Sequence, residues 1–345
     1  MSAPTKITVR EVASAAGVSI ATVSRVLNQP ALVQQSKREA VERAMVALDY
    51  IPNRQARSLM SQRTGSIGLL VPTIANPLFA PVIAAIERVL DAAGYALLIH
   101  CTQRDPARQQ KQVRHLVERG VDGLILTGTS IAPDLAALLD RTSTPAVVQD
   151  ALLLPPGAPA VAFDNAAAMA VAVRHVHGQG HRAIALFSGP LHNTPAVAER
   201  FAGAERELRA LGLHLPAAWR VLAEDYDNTA VRDGAARLLS CAERPTAVAC
   251  TGDILALGLV AEGHRRGLRV PQDFSVIGCG DTDLGRYVEP PLTTVRMPWE
   301  RMGEAAVEGL LALIEGRPTA PLTVLPHELI ERHSVQPPTP FARVP

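Results

Sequence analysis

The spacing of apolar and polar positions changes character once along the chain, near residue 64. Before it, apolar residues recur at helical intervals in short pieces. Val12, Ala13 and Ala16 share one face of a segment spanning residues 9–16. Thr8 and Glu11 stand at the T-x-x-E spacing of a capping box at its start. Gly17 supplies a residue that leaves a helix with positive φ. Ser19 is placed to cap a second helix, Ile20 to Leu27, whose inner side is Val23, Val26 and Leu27. A Pro-containing loop, Gln29–Val33, precedes a third helix ending near Leu48, striped by Val41, Ala44, Met45 and Leu48. Ser36 and Glu39 offer that helix a capping box of its own. Pro52 suits the start of a short helix in Gln55–Ser61 with Ala56, Leu59 and Met60 on its apolar side. So short a segment is not helical alone in water, so disorder before binding is expected.

From Ile67 onward the pattern is short apolar runs alternating with amphipathic helices. The runs read IGLLVP, YALLIH, DGLILTG and PAVVQD, then Val161–Asp164, then AIALFSG, TAVACTG and FSVIG. Such alternation predicts parallel sheets with helices on both faces. Two series predict two similar lobes, and ligands of such sheets sit at the carboxyl ends of the strands.

Composition narrows the class. At 345 residues, 48% apolar and only 3% aromatic, the chain is long enough for two or three compact units built on Ala, Val and Leu. No apolar run has the length of a membrane span and the N-terminus lacks a signal-peptide core, so a cytoplasmic, membrane-free protein is expected. Cys101, Cys241, Cys250 and Cys279 show no C-x-x-C spacing, and free buried thiols are expected. Charge is uneven: residues 1–63 carry nine basic and four acidic side chains, and the remainder 25 basic and 29 acidic. A basic head on an acidic body suits one end facing phosphates.

Two short helices around a tight Gly turn constitute a helix-turn-helix, whose second helix enters the DNA major groove. The outer face of that helix carries Ile20, Ala21, Thr22, Ser24, Arg25 and Asn28, groups suited to base edges and phosphates. The stretches GVSIATVSRVLN and AMVALDYIPNRQARSL resemble the head and hinge of the LacI/GalR family of bacterial transcription regulators, and the likeness runs to about Val335. The family's Ser and Thr before the third helix are replaced by Gln34 and Lys37.

The resemblance implies a small all-α helix-turn-helix head at 6–52 and a hinge helix with linker at 53–63. An α/β periplasmic-binding-protein-like core of two parallel-sheet lobes follows at 64–335, with a Pro-rich tail at 336–345. It implies a homodimer, or a higher oligomer, on double-stranded operator DNA. Thr8, Ser19, Tyr50, Asn53, Arg54, Ala56 and Leu59 join the outer-face residues in contacting it, and Leu59 is the wedge that kinks the minor groove. It implies three chain crossings between lobes, placed near Asp164, Pro290 and Pro321. In the cleft it places Asn76, Phe79, Asp150, Phe163, Asp164, Arg200, Tyr226, Asp253 and Asp281, with Arg200 gripping effector oxygens and Tyr226 stacking on the ligand. Where sugar-binding members often carry Asn and Asp, this chain has Gly252 and Gly280, which removes groups that hold hydroxyls. GDTDLG and ERMG are similar to gluconate-responsive members.

The function so implied is a repressor controlled by a sugar or a sugar acid such as gluconate, with no cofactor or metal. An activator or corepressor-dependent regulator is the alternative within the class; a small-molecule-binding protein or sugar enzyme is the alternative outside it. Enzyme signatures are missing. His327 to Glu331 falls one ligand short of H-E-x-x-H and reads as strand, while His175 and His177 lie on different faces of a helix. Gly278 and Gly280 lack the third glycine of a dinucleotide fingerprint.

Overall fold

The computed structural model describes residues 7–51, 63–128, 133–152 and 158–338. The chain divides into two units, Met1–Thr64 and Gly65–Pro345.

Among the described residues the first unit contains three α-helices, α1 (Val9–Ala16), α2 (Ile20–Asn28) and α3 (Gln35–Ala47). The Thr8 backbone N–H donates to Glu11 Oε2 at 2.6 Å, closing the first turn of α1. Gly17 stops the helix at φ 64°, and Ser19 Oγ accepts the Thr22 N–H at 3.2 Å to start α2. Val12, Val23 and Val41, one from each helix, are fully buried at the centre, with Ala13, Val26 and Ala44 around them. The Ser36–Glu39 capping box does not form. Helix α3 begins at Gln35, two residues before the Lys37 start that a Ser36 cap would give, which places Ser36 inside the helix, and Gln35 Nε2 donates to Glu39 Oε1 at 2.9 Å instead.

The second unit is two six-stranded sheets. Sheet one has the order β11-β5-β4-β3-β1-β2, and sheet two the order β12-β10-β9-β8-β6-β7. Sheet one contains β1 (Ser66–Val71), β2 (Ala96–Cys101), β3 (Gly123–Thr127), β4 (Ala146–Gln149), β5 (Ala160–Phe163) and β11 (Leu322–Leu325), all parallel. Sheet two contains β6 (Ile184–Ser188), β7 (Arg220–Leu222), β8 (Ala247–Cys250), β9 (Ser275–Gly280), β10 (Thr293–Arg296) and β12 (Glu328–Ile330). Only β12 among these runs antiparallel to its neighbour. β3, β4, β5, β6, β8 and β9 are almost wholly buried, because helices cover both faces, and this is why they read as unbroken apolar runs.

Connections from sheet one run through α4 (Ala80–Ala92), α5 (Pro106–Glu118) and α6 (Pro133–Thr142). Sheet two is flanked by α7 (Asn165–Gly178), α8 (Pro195–Ala210), α9 (Asn228–Leu239) and α10 (Asp253–Arg265), and a short turn of helix, α11 (Leu284–Tyr287), follows β9. The chain passes between lobes three times. The first passage is at Asp164, between β5 and α7. The second is not at Pro290. That residue precedes β10, which is still in sheet two, and the chain leaves only at Met297–Pro298 to form α12 (Trp299–Ile314) against α4 and sheet one. The third is not at Pro321, which leads into β11 of sheet one, but at Pro326–His327, between β11 and β12. A proline marks where a strand can begin; it says nothing about which sheet receives it.

Helices α7 and α8 approach so closely that a Cβ built on Gly203 would lie 2.4 Å from the Ala166 carbonyl oxygen and 2.5 Å from its Cα. Among the described residues no helix is long and apolar enough to cross a membrane.

Candidate functional site

In the first unit, the outer side of α2 is the candidate nucleic-acid face. Ile20 is 45% exposed, Ala21 and Arg25 are exposed, and Thr22 and Ser24 are half-buried. Ile20 stands at the first turn of α2 beside a hydroxyl pair, Ser19 Oγ and Thr22 Oγ1, 2.9 Å apart. Thr8 heads α1 on the surface, and Tyr50 packs against the head core. The side chain of Asn28 and the residues Asn53, Arg54, Ala56 and Leu59, with the whole hinge helix, lie outside the described residues.

In the second unit a cleft of about 1150 Å³, counting space that opens to solvent, lies at the carboxyl ends of both sheets. Of the nine cleft residues expected from sequence, Asn76, Phe79, Asp150, Arg200, Tyr226 and Asp253 line it. Phe163, Asp164 and Asp281 do not. Phe163 stands behind the wall, fully buried and edge-on to Trp299 at 5.1 Å. Asp164 caps α7, accepting the Ala167 N–H at 2.8 Å. Asp281 is enclosed by arginines: Arg296 Nε donates to it at 2.7 Å, Arg286 Nη2 at 3.3 Å, and Arg332 also donates to it. Burial opposes the charge of Asp281, but the bonds from Arg332 and Arg296 outweigh it and hold its carboxyl below the usual range.

Arg200 lines the cleft from α8. Its Cζ is 6.0 Å from the Trp299 ring, its Nε donates to Asn165 Oδ1 at 2.7 Å, and its Nη1 donates to the Thr251 carbonyl at 3.2 Å. Asn165 in turn donates Nδ2 to Asp150 Oδ1 at 3.2 Å, so one buried amide links a cation of lobe two to a carboxylate of lobe one. Burial raises the pKa of Asp150, against the pull of Arg200 and Asn165. Asp253 has little to offer a ligand. Thr294 Oγ1 donates to it at 2.6 Å, the Thr282 N–H at 2.7 Å and the Thr282 hydroxyl at 3.1 Å, so it ties the loop after β9 to β10. Tyr226 lies with its hydroxyl end hard against Gly189 and its ring 5.0 Å from the Arg104 Cζ. Arg104, in the loop after β2, pairs across the cleft with Asp225 at 3.2 Å.

Trp299, Arg104, Thr102, Gln109, Thr127, Thr194, Thr251 and Thr282 also line the cleft and were not expected from sequence. Hydroxyls in loops carry no signal on their own. Trp299 does, as one of only two tryptophans, following a proline and opening a helix. Phe79 meets it edge-on at 6.2 Å and Phe163 at 5.1 Å. Among the described residues no group of three or more His, Cys, Asp or Glu is placed to hold a metal ion.

Comparison with known proteins bears on both sites. Residues 8–53 match the profile of bacterial regulatory proteins, lacI family, and residues 173–335 that of a periplasmic binding protein-like domain. The HTH-type transcriptional repressor PurR of Photobacterium profundum is 34% identical over 312 residues, 90% of this chain and 92% of that one. Among solved structures, the lac repressor dimer bound to operator and the anti-inducer ONPF superposes with a TM-score of 0.83 at 30% identity, covering 96% of this chain and 99% of that one. The transcription regulator GntR from Chromobacterium violaceum gives 0.71 at 29% identity over 78% of this chain and 98% of its own.

Proposed function

The chain belongs to the lacI family of bacterial regulatory proteins, as a DNA-binding transcriptional repressor under small-molecule control, and from that premise we propose that its effector is a sugar acid such as gluconate, held in the core cleft by Arg200. In this reading a cytoplasmic homodimer places two copies of α2 in successive major grooves of the operator, since one short helix reads too few bases. The head is 6–52, the hinge 53–63 and the core 64–335, and Leu59 is the hinge wedge.

The observation that carries the effector assignment is the buried guanidinium of Arg200, 3% exposed, fixed on one side by Asn165 and Thr251 while the residue lines the cleft. A planar fork of donors matches a carboxylate bidentately. Two of the acidic groups that would hold a neutral sugar are spent elsewhere: Asp281 on three arginines, Asp253 on Thr282 and Thr294. Gly252 and Gly280 present no side chain, and the cleft threonines serve the hydroxyls of the ligand. The test is calorimetric titration of the wild type with D-gluconate and with D-glucitol, its uncharged counterpart. Tight binding of the acid and not of the alcohol is expected; the reverse order would sink the assignment.

Asp150 gives this reading a pH signature. Burial raises its pKa, so it takes up a proton over a pH interval above that of an ordinary carboxylate. A neutral Asp150 no longer repels an incoming carboxylate, so affinity for the acid rises as pH is lowered through that interval. Asp150→Asn should bind the acid with a flat profile. A neutral sugar using the Asp150 carboxylate as acceptor would show the opposite slope.

For DNA, Arg25→Ala should cost about 1–3 kcal/mol per half-site and relax specificity at one base pair, as loss of a bidentate guanine contact does. Binding isotherms on operator and random DNA at one salt concentration decide it. Equal losses on both would make Arg25 a phosphate contact only.

A further inference from the structure

Among the described residues the indole N–H of Trp299 is a buried donor with no hydrogen-bond partner. The residue is 5% exposed, lines the cleft, and has the Arg200 guanidinium 6.0 Å from its ring. Buried donors are nearly always satisfied, and an unsatisfied one is costly enough to require an explanation. The other tryptophan shows the ordinary arrangement: Trp219 Nε1 donates to the Glu243 carbonyl at 3.0 Å. Packing alone does not call for an indole at 299. Phe79 and Phe163 meet its ring edge-on, and a phenyl ring makes such contacts equally well.

We propose that Trp299 is a specificity-determining residue: its indole N–H donates to an oxygen of the effector on the side gripped by Arg200, so that the cleft demands an acceptor-only group there. Resting on the sugar-acid reading, this deepens it. An arginine and an indole N–H supply donors and no acceptor. A carboxylate oxygen satisfies both with its charge, whereas a hydroxyl offers them only a neutral acceptor and needs a further acceptor for its own proton, and an ammonium is repelled. Discrimination of an acid from its alcohol then arises from a site whose buried donors are left unpaired by the wrong ligand.

The test uses the full-length protein with D-gluconate as probe. The chain has two tryptophans, so a nitrogen–proton correlation spectrum contains two indole signals. On titration the Trp299 signal should move downfield to saturation while that of Trp219 stays in place. Trp299→Phe should keep the melting temperature close to wild type and bind gluconate about 10- to 100-fold more weakly, the loss expected for one hydrogen bond to a charged group. A Trp299 signal that stays still when calorimetry shows saturation would overturn the proposal, with no variant needed. So would a folded Trp299→Phe of wild-type affinity. Should gluconate give no heat with the wild type, the acid reading fails by itself; the indole proposal is then judged by the same two measurements on whichever neutral sugar or purine most raises the melting temperature.

Discussion

Arg200→Met should leave a repressor that binds operator normally and no longer responds to its effector. Methionine keeps most of the length and apolar body of the side chain but none of the five donors. Removing a charge-assisted, bidentate partner from a buried site costs about 2–5 kcal/mol, which is a loss of at least about 30-fold and up to several thousandfold in effector affinity. The substitution also strands neighbours, because Asn165 loses the bond to its Oδ1 and Asp150 loses its nearest cation. Burial already raises the pKa of Asp150 and loss of Arg200 raises it further, which eases the cost of the stranded carboxyl, so the fold survives with a lowered melting temperature. Asp150→Asn combined with Arg200→Met removes the stranded carboxylate and should recover that stability without recovering effector binding. If the effector is an inducer, the variant is a permanently bound repressor, since a ligand shifts an equilibrium only through differential affinity. Calorimetric titration alongside operator binding at fixed salt checks both halves. Undiminished effector affinity would take Arg200 out of the site.

Gly203→Ala should be the most damaging one-carbon change in the core. Alanine in mid-helix ordinarily stabilises by about 1 kcal/mol over glycine. Here the new methyl would meet the Ala166 carbonyl oxygen at 2.4 Å and its Cα at 2.5 Å, and backbone atoms cannot rotate aside. Helix α7 must move off α8, and overpacking of this kind costs about 3 kcal/mol. The effect reaches the cleft, because Arg200 is one turn before Gly203 and Asn165 is next to Ala166. Parting the helices stretches their 2.7 Å bond. Urea unfolding should show the lost stability and calorimetry a parallel loss of effector affinity. A variant of wild-type stability would mean that the helices have room between them.

What was legible in the sequence follows from how local each signal is. The Gly17 turn, the Ser19 cap and the three-valine centre of the head are decided within a few residues, and periodicity displays them. Seven of the twelve described strands appear as apolar runs because both their faces are covered, β2 appears as one although it is a half-exposed edge strand, and β12 showed in the HELIE stretch. The three missed, β7, β10 and β11, are short, and β7 and β11 lie at sheet edges where solvent permits polar residues. Sheet membership was not legible at all past Pro290, since β10 and β11 differ only in which partner accepts them. Within the cleft, Arg200 was read from its motif, whereas Trp299 reaches the site from a helix about a hundred residues further on. Asp281 is drawn away from the cleft lining by three arginines from α11, β10 and the segment after β12, and only the folded chain brings them together.

The triple passage between lobes also sets an order of manufacture. Every residue of the head's core precedes Ile51, so a ribosome that has released the first unit has delivered all that its packing requires. Neither lobe is in that position. Sheet one waits for β11 at Leu322–Leu325 and sheet two for β12 at Glu328–Ile330, so both stay unfinished until the last tenth of the chain has been made. A premature stop anywhere in the core, even at residue 320, leaves two incomplete sheets with open edges behind an intact reading head. In this gene, truncating lesions spread across some 250 codons should share one phenotype, loss of regulation with an aggregating product, rather than a graded series.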